Sequence, residues 1–260
     1  PAGSAAGAGS TGPPGAVPGI PLDWTGQLLD NRYQVDNQLA RGGMATVYRA
    51  RDIKLETEVV VKRPHLDSTM DTDLVARLQQ EIRSLLSISH PHVVQVTDVG
   101  EHAGCPYLVM PLLTGGSLGD TTSPSSVDSV TRWLGDIAEA IDAIHALGMV
   151  HRDVKPDNIL FDASGNALLS DFGIAKVLES SGNNMEVGLT GTGVLLGTAE
   201  YMAPEILIAE AYQQESDHRA DQYSLAATVY ERLSGRPPFR GLTLATIAVK
   251  MATKTVCPLH

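Results

Sequence analysis

Hydrophobic patterning in this chain changes character at "TGGSLGD" (114–120), and that change limits the folds open to it. Ahead of it, "YQVDNQLA" (33–40), "MATVYRA" (44–50) and "TEVVVKR" (57–63) are short β-branched or aromatic runs between turn residues, the pattern of a small antiparallel sheet. One helix interrupts them. Within 72–88, Leu74, Leu78, Ile82 and Leu85 recur at spacings of 4, 4 and 3, which gives a single apolar face. "HVVQVTDVG" (92–100) and "CPYLVMPLL" (105–113) read as two more strands. Behind the break the helical period takes over. Residues 127–148 place Val130, Trp133, Leu134, Ile137, Ile141 and Ile144 on one side and close on Gly148, a suitable C-cap. "SLAATVYERLSG" (224–235) is apolar almost throughout, as in a helix buried on most sides. Sheet first and helices second is an α+β chain in two parts.

With 260 residues, 43% of them hydrophobic, the chain can bury a core of that kind. Residues 1–21 are the exception: mostly Ala, Gly, Pro and Ser, without charge and with almost no bulky apolar side chain, so that ordering them would cost entropy that little burial offsets. They read as a flexible linker, which we extend to residue 24. A net charge of -11 repels phosphate backbones and anionic lipid, so nucleic acid and membrane surfaces are poor partners. Cys105 and Cys257 form neither a disulfide framework nor a zinc pattern, which fits a reducing, cytoplasmic compartment. No run approaches the roughly 20 apolar residues of a membrane span. The chain does not begin with methionine, so we expect a piece of something longer, such as the cytoplasmic part of a membrane-anchored protein.

Three stretches carry chemistry. In "LARGGMATVY" (39–48), Gly42 and Gly43 join two strands in a turn whose backbone can approach phosphate oxygens; a plain Gly-Gly hairpin has the same sequence. Lys62 closes the apolar run "EVVVK", either snorkelling to solvent or, paired with Glu81 on the next helix, facing a polyphosphate. "HRDVKPDN" (151–158) packs a histidine, an arginine, acids, a lysine and an amide into eight residues, far more than a turn needs. Asp153 can take a hydroxyl proton there, Lys155 can sit beside a phosphoryl group, and Asn158 can ligate magnesium. Asp171 in "SDFGIAK" supplies a second magnesium ligand, with Gly173 making the backbone compliant. Alone, Asp153 or Asp171 would read as a turn residue; together they point to a site.

The ordered set "GGMATV", "VVVK", Glu81, "HRDVKPDN", "DFG" (171–173) and "APE" (203–205) resembles the protein-kinase signature over about residues 33–250. "GTAEYMAPE" and "KPDN" resemble the Ser/Thr branch, and "GGMATVYRARD", "HPHVVQVTDVG" and "DHRADQYSL" resemble its bacterial, eukaryotic-like members. The resemblance implies a two-lobed fold, with an N-lobe at 33–110 built from the sheet and one helix, and a helical C-lobe at 111–260. It implies ATP with magnesium, or manganese in its place, as cofactors. ATP would lie against Leu39, Ala40, Gly42, Gly43, Val47, Lys62, Met110 and Leu112. Asp153, Lys155, Asn158, Lys62, Glu81 and Thr198 would be the catalytic set, with Asn158 and Asp171 on the metal. His151, Phe172, Gly173, Glu205 and Asp221 would be structural, with Asp221 holding the catalytic-loop backbone. The partners implied are protein substrates offering Ser or Thr, and a kinase dimer for phosphorylation in trans. Thr190 and Thr192, in the long Gly-rich segment 174–196, are candidate phosphosites, and Arg77, Arg152 and Lys176 would receive the phosphate; an inert pair of threonines is the alternative. His90, His92, His102 and His145 read as turn, surface or core histidines.

The chain also departs from the pattern. Ala40 and Ala45 stand where the glycine-rich loop has glycines, which bears on nucleotide affinity, and Pro111 can offer adenine only a carbonyl. The arginine that pairs with the glutamate of "APE" in the family belongs to later helices. A buried Glu205 without it would cost about 3 to 5 kcal/mol, so we expect a C-lobe lacking its last helices, either continued in the natural protein or marginally stable. A small-molecule phosphotransferase and an inactive kinase-fold docking module are the rival classes. The first would not need "GTAEYMAPE", and the second would bind nucleotide without transfer.

Overall fold

The computed structural model describes residues 23–43, 45–65, 79–80, 82–121, 123–171, 199–207 and 217–259. Six strands, β1 (Leu28–Leu29), β2 (Tyr33–Arg41), β3 (Ala45–Asp52), β4 (Thr57–Pro64), β5 (Asp98–His102) and β6 (Cys105–Pro111), form one antiparallel sheet in the order β1-β2-β3-β4-β6-β5. The register sets Val47, Lys62 and Leu108 in one row and Tyr48, Val61 and Val109 in the next. Successive side chains of a strand point to opposite faces, so Lys62 and Tyr48 lie on different sides of the sheet.

The Tyr48 side is covered by the first described residues, 23–27. Trp24 is fully buried, stacked on Tyr48 with centroids 6.2 Å apart and edge-on to Tyr107 at 6.0 Å, and the Arg63 guanidinium lies 5.1 Å from its ring. Gly26 N–H donates to Val35 O at 2.9 Å and Val35 N–H to Gln27 O at 2.8 Å, so the strap runs along β2. This corrects the linker boundary at residue 24. A tryptophan buries enough apolar area to order the backbone around it, and the folded region begins no later than Asp23.

"HVVQVTDVG" is corrected too: its strand begins only at Asp98. The preceding residues are drawn to a two-stranded hairpin, β7 (Ile159–Phe161) with β8 (Ala167–Leu169). Leu169 N–H donates to His92 O at 2.9 Å and Val94 N–H to Leu169 O at 2.9 Å. β-branched residues need an extended ladder, and the hairpin edge supplies it. Of the helix expected in 72–88, residues 79–80 and 82–84 are helical and Leu85–Ser87 is a 3-10 turn, with Ile82 and Leu85 buried.

Helix α1 (Val127–Ala146) follows the predicted face, burying Val130, Trp133, Ile137, Ala140, Ile141 and Ile144. The Ser126 hydroxyl accepts from Ser129 N–H at 3.2 Å, capping its start. These residues join the sheet's buried side chains in one core. Helices α2 (Pro204–Leu207), α3 (Arg219–Ser234) and α4 (Leu244–Thr253) complete the described chain. Small buried residues of α3 (Ala220, Ser224, Ala227 and Thr228) let it approach closely, and Gly235, at φ +77°, ends it in the left-handed region that glycine tolerates. Ala199, Phe239 and Ile247 form a second cluster that binds α4 to 199–207.

Candidate active site

Lys62 reaches the site from the middle of the sheet, paired in register with Val47 and Leu108, and is 8% exposed. Its ammonium meets Asp171 Oδ1 at 2.8 Å, directly behind β8. Burial alone would raise the Asp171 pKa, but the charge and hydrogen bond of Lys62, with Lys155 contributing, outweigh it and hold the carboxyl below the usual range. Asp171 itself stands at φ +66°, a left-handed conformation that costs a non-glycine residue roughly 1–2 kcal/mol. Surrounding bonds enforce it. Ser170 donates to Asn158 O through its N–H at 2.8 Å and its hydroxyl at 3.0 Å, and His151 Nε2 donates to Ser170 O at 2.9 Å.

Those bonds join Asp171 to the second group. Lys155 Nζ lies 3.0 and 2.9 Å from the two Asp153 carboxylate oxygens. Asn158, 5% exposed, gives its amide protons to Asp153 O at 2.7 Å and Oδ2 at 2.9 Å, which reserves the amide oxygen for a cation. His151 Nδ1 accepts Asp153 N–H at 3.2 Å while Nε2 donates, so the ring is the neutral Nε2–H tautomer; burial pushes its pKa down in agreement.

Asp221 holds this loop from below. It is fully buried on α3 and accepts from His151 N–H at 2.8 Å, Arg152 N–H at 2.7 Å and His145 Nε2 at 2.8 Å. Arg152, at φ +66°, is the second left-handed non-glycine residue of the site. Strained backbone of this kind persists where its surroundings over-determine it. Sequence reasoning left His145 as a turn, surface or core histidine. Its place in the last turn of α1, ahead of "HRD", was the available signal.

Gly42 and Gly43 sit at the β2–β3 turn, with Gly42 N–H donating to Ala45 O at 2.9 Å, and Leu39 and Ala40 are exposed on the approach to it. Val47 and Leu112 are half-buried, and Met110 is buried where β6 ends. Glu81, Arg77, Phe172, Gly173, Lys176, Thr190, Thr192 and Thr198 lie outside the described residues. Glu205 is corrected in one respect: it is half-buried on α2, near enough to Arg219 and Tyr223 for both to sense its charge. Partial hydration lowers the penalty expected of a fully buried carboxylate.

A carboxylate and an amide oxygen suit a hard cation such as magnesium. Among the described residues no cluster of three or more His, Cys, Asp or Glu would hold a metal unaided. Asp171 and Asn158 would supply two oxygen ligands to such a cation.

Comparison with known proteins decides the family, since the profile described as "Protein kinase domain" matches residues 33–257. The chain belongs to the protein kinase family. This kinase domain is 35% identical over 237 residues to serine/threonine-protein kinase PknB of Mycobacterium tuberculosis, covering 88% of the chain and 37% of that protein. It is 36% identical over 224 residues to PknL of Mycobacterium bovis, covering 85% and 54%, and 36% identical over 230 residues to a probable serine/threonine-protein kinase, pknA2, of Bifidobacterium longum, covering 86% and 29%. It is thus a bacterial-type Ser/Thr kinase domain that spans from under a third to about half the length of these relatives. No helix among the described residues is long and apolar enough to cross a membrane.

Proposed function

We propose that this kinase domain transfers the γ-phosphoryl group of ATP to Ser or Thr hydroxyls of protein substrates. The observation that carries the reading is the Lys62–Asp171 pair at 2.8 Å, tied through Ser170 and Asn158 to the Asp153–Lys155 pair. The acceptor oxygen bonds to the γ-phosphorus, the bond from phosphorus to the β–γ bridging oxygen breaks, and ADP departs with its electron pair. Asp153 orients the hydroxyl and receives its proton. Lys155 faces the charge on the transferring group, and Lys62 holds the α and β phosphates. Backbone groups of residues 111–113, beside Met110, face adenine. Asp171 and Asn158 would hold magnesium or manganese, which would supply positive charge to offset that of the phosphates. Positioning and fixed charge are most of what phosphoryl transfer asks of a protein.

Control rests with Thr190 and Thr192, phosphorylated in trans by a second copy and received by Arg77, Arg152 and Lys176. Thr198 steadies Asp153 and Lys155 at the acceptor, and Glu81 steadies Lys62. The domain works in the cytoplasm, alone or as the cytoplasmic part of a longer, membrane-anchored protein.

The test is transfer from γ-labelled ATP to a generic protein acceptor, with and without magnesium, followed by phosphoamino-acid analysis. Label on serine and threonine is expected, along with phosphorylated Thr190 or Thr192 in the active enzyme. Nucleotide binding without transfer to any protein would sink the proposal.

A further inference from the structure

The β2–β3 turn is held from behind by a residue with no part in the scheme above. His65 follows the last residue of β4, one position past the register pair Ala45 with Pro64. Its ring spans two groups: Nδ1 lies 3.1 Å from Gly43 O and Nε2 lies 2.8 Å from Thr46 Oγ1. A carbonyl only accepts, so Nδ1 carries the proton; in a neutral ring Nε2 then accepts from the Thr46 hydroxyl. Burial lowers the His65 pKa against the pull of the Gly43 carbonyl, and Arg41 and Arg63 add to the lowering, which favours that neutral form. Thr46 is fully buried, so its hydroxyl needs the partner that His65 supplies.

Thr46 pairs in register with Arg63 and Val47 with Lys62, so Thr46 lies on the face turned away from Lys62. His65 therefore grips the turn without entering the space a nucleotide would fill. We infer that His65 is a positioning residue for phosphate binding, a clasp that fixes the Gly42–Gly43 turn over the nucleotide. This chain needs such a clasp because Ala40 and Ala45 replace glycines that would let the loop settle around phosphate. The inference rests on the reading of the site as an ATP site.

The experiment compares the parent with His65→Ala, His65→Asn and Thr46→Val. Hydrogen exchange across 41–45 is read in the nucleotide-free proteins, and KM for ATP and kcat are read separately. His65→Ala is expected to speed exchange in the turn and to raise KM for ATP by about 3- to 10-fold, the scale of one net hydrogen bond, with the loss falling on KM rather than kcat. Asn can place its amide donor where Nδ1 stands and is expected to restore both readings. Thr46→Val keeps the Gly43 bond and is expected to lie nearer the parent than His65→Ala. Unchanged exchange in His65→Ala, or an Asn variant as impaired as the Ala variant, overturns the inference. Should the parent bind no ATP, the reading of the site fails, while the exchange arm still decides whether His65 clasps the turn.

Discussion

Lys62 and Asp171 form an ion pair at 2.8 Å that joins the middle of the sheet to the end of the β7–β8 hairpin. Opposite charges from two parts of the chain thus meet where neither strand needs them for pairing. Replacing Lys62 with Met keeps most of the apolar stem and removes the charge. Phosphoryl transfer is expected to fall by about 10²- to 10³-fold, the usual loss for one fixed stabilising group. Circular dichroism and kcat/KM, measured together, separate this from unfolding.

Asp153→Asn keeps the shape of the side chain and can still accept from Lys155, but it cannot take a proton from a hydroxyl. Turnover is expected to drop by about 10² to 10⁴ while nucleotide binding persists. Near-normal kcat in this variant would show that another group handles the proton.

Removal of divalent cations by a chelator is expected to abolish transfer, with magnesium or manganese restoring it. Asp171→Asn gives up the charged oxygen facing Lys62 and is expected to raise the magnesium concentration needed for half-maximal activity. A magnesium titration of parent and variant checks this, and coincident curves would count against Asp171 as a ligand.

Asp221→Ala would strip a buried acceptor from His151 N–H, Arg152 N–H and His145. Each orphaned buried N–H costs about 1–3 kcal/mol, so urea unfolding is expected to show a loss of at least about 2 kcal/mol. Asp221→Asn retains one acceptor oxygen and is expected to fall between parent and Ala. Equal stability of all three would mean that water replaces the carboxylate.

The site was legible where its chemistry is contiguous. "HRDVKPDN" carries Asp153, Lys155 and Asn158 within six residues, and local bonds among them follow from that closeness. Bonds across long separations left weaker traces. His145 lies 76 residues from Asp221, and nothing in the period of α1 distinguishes it from any other histidine at a helix end. The direct contact of Lys62 with Asp171 was hidden for the same reason, since sequence assigned them to one ligand without revealing that they touch. Residues 92–97 looked like a strand because β-branched side chains favour extended backbone; whether a partner strand or a hairpin edge receives them is decided by tertiary packing. Trp24 was missed because the low-complexity run before it set the expectation for its neighbourhood.

That tryptophan bears on where this domain is cut for study. The family match begins at Tyr33, and a fragment started there would lay bare Tyr48 and Tyr107, two aromatic rings now shut away from water. Such a fragment would be sticky in solution, self-associating through its bald sheet, whereas one begun ahead of Asp23 carries its own cover.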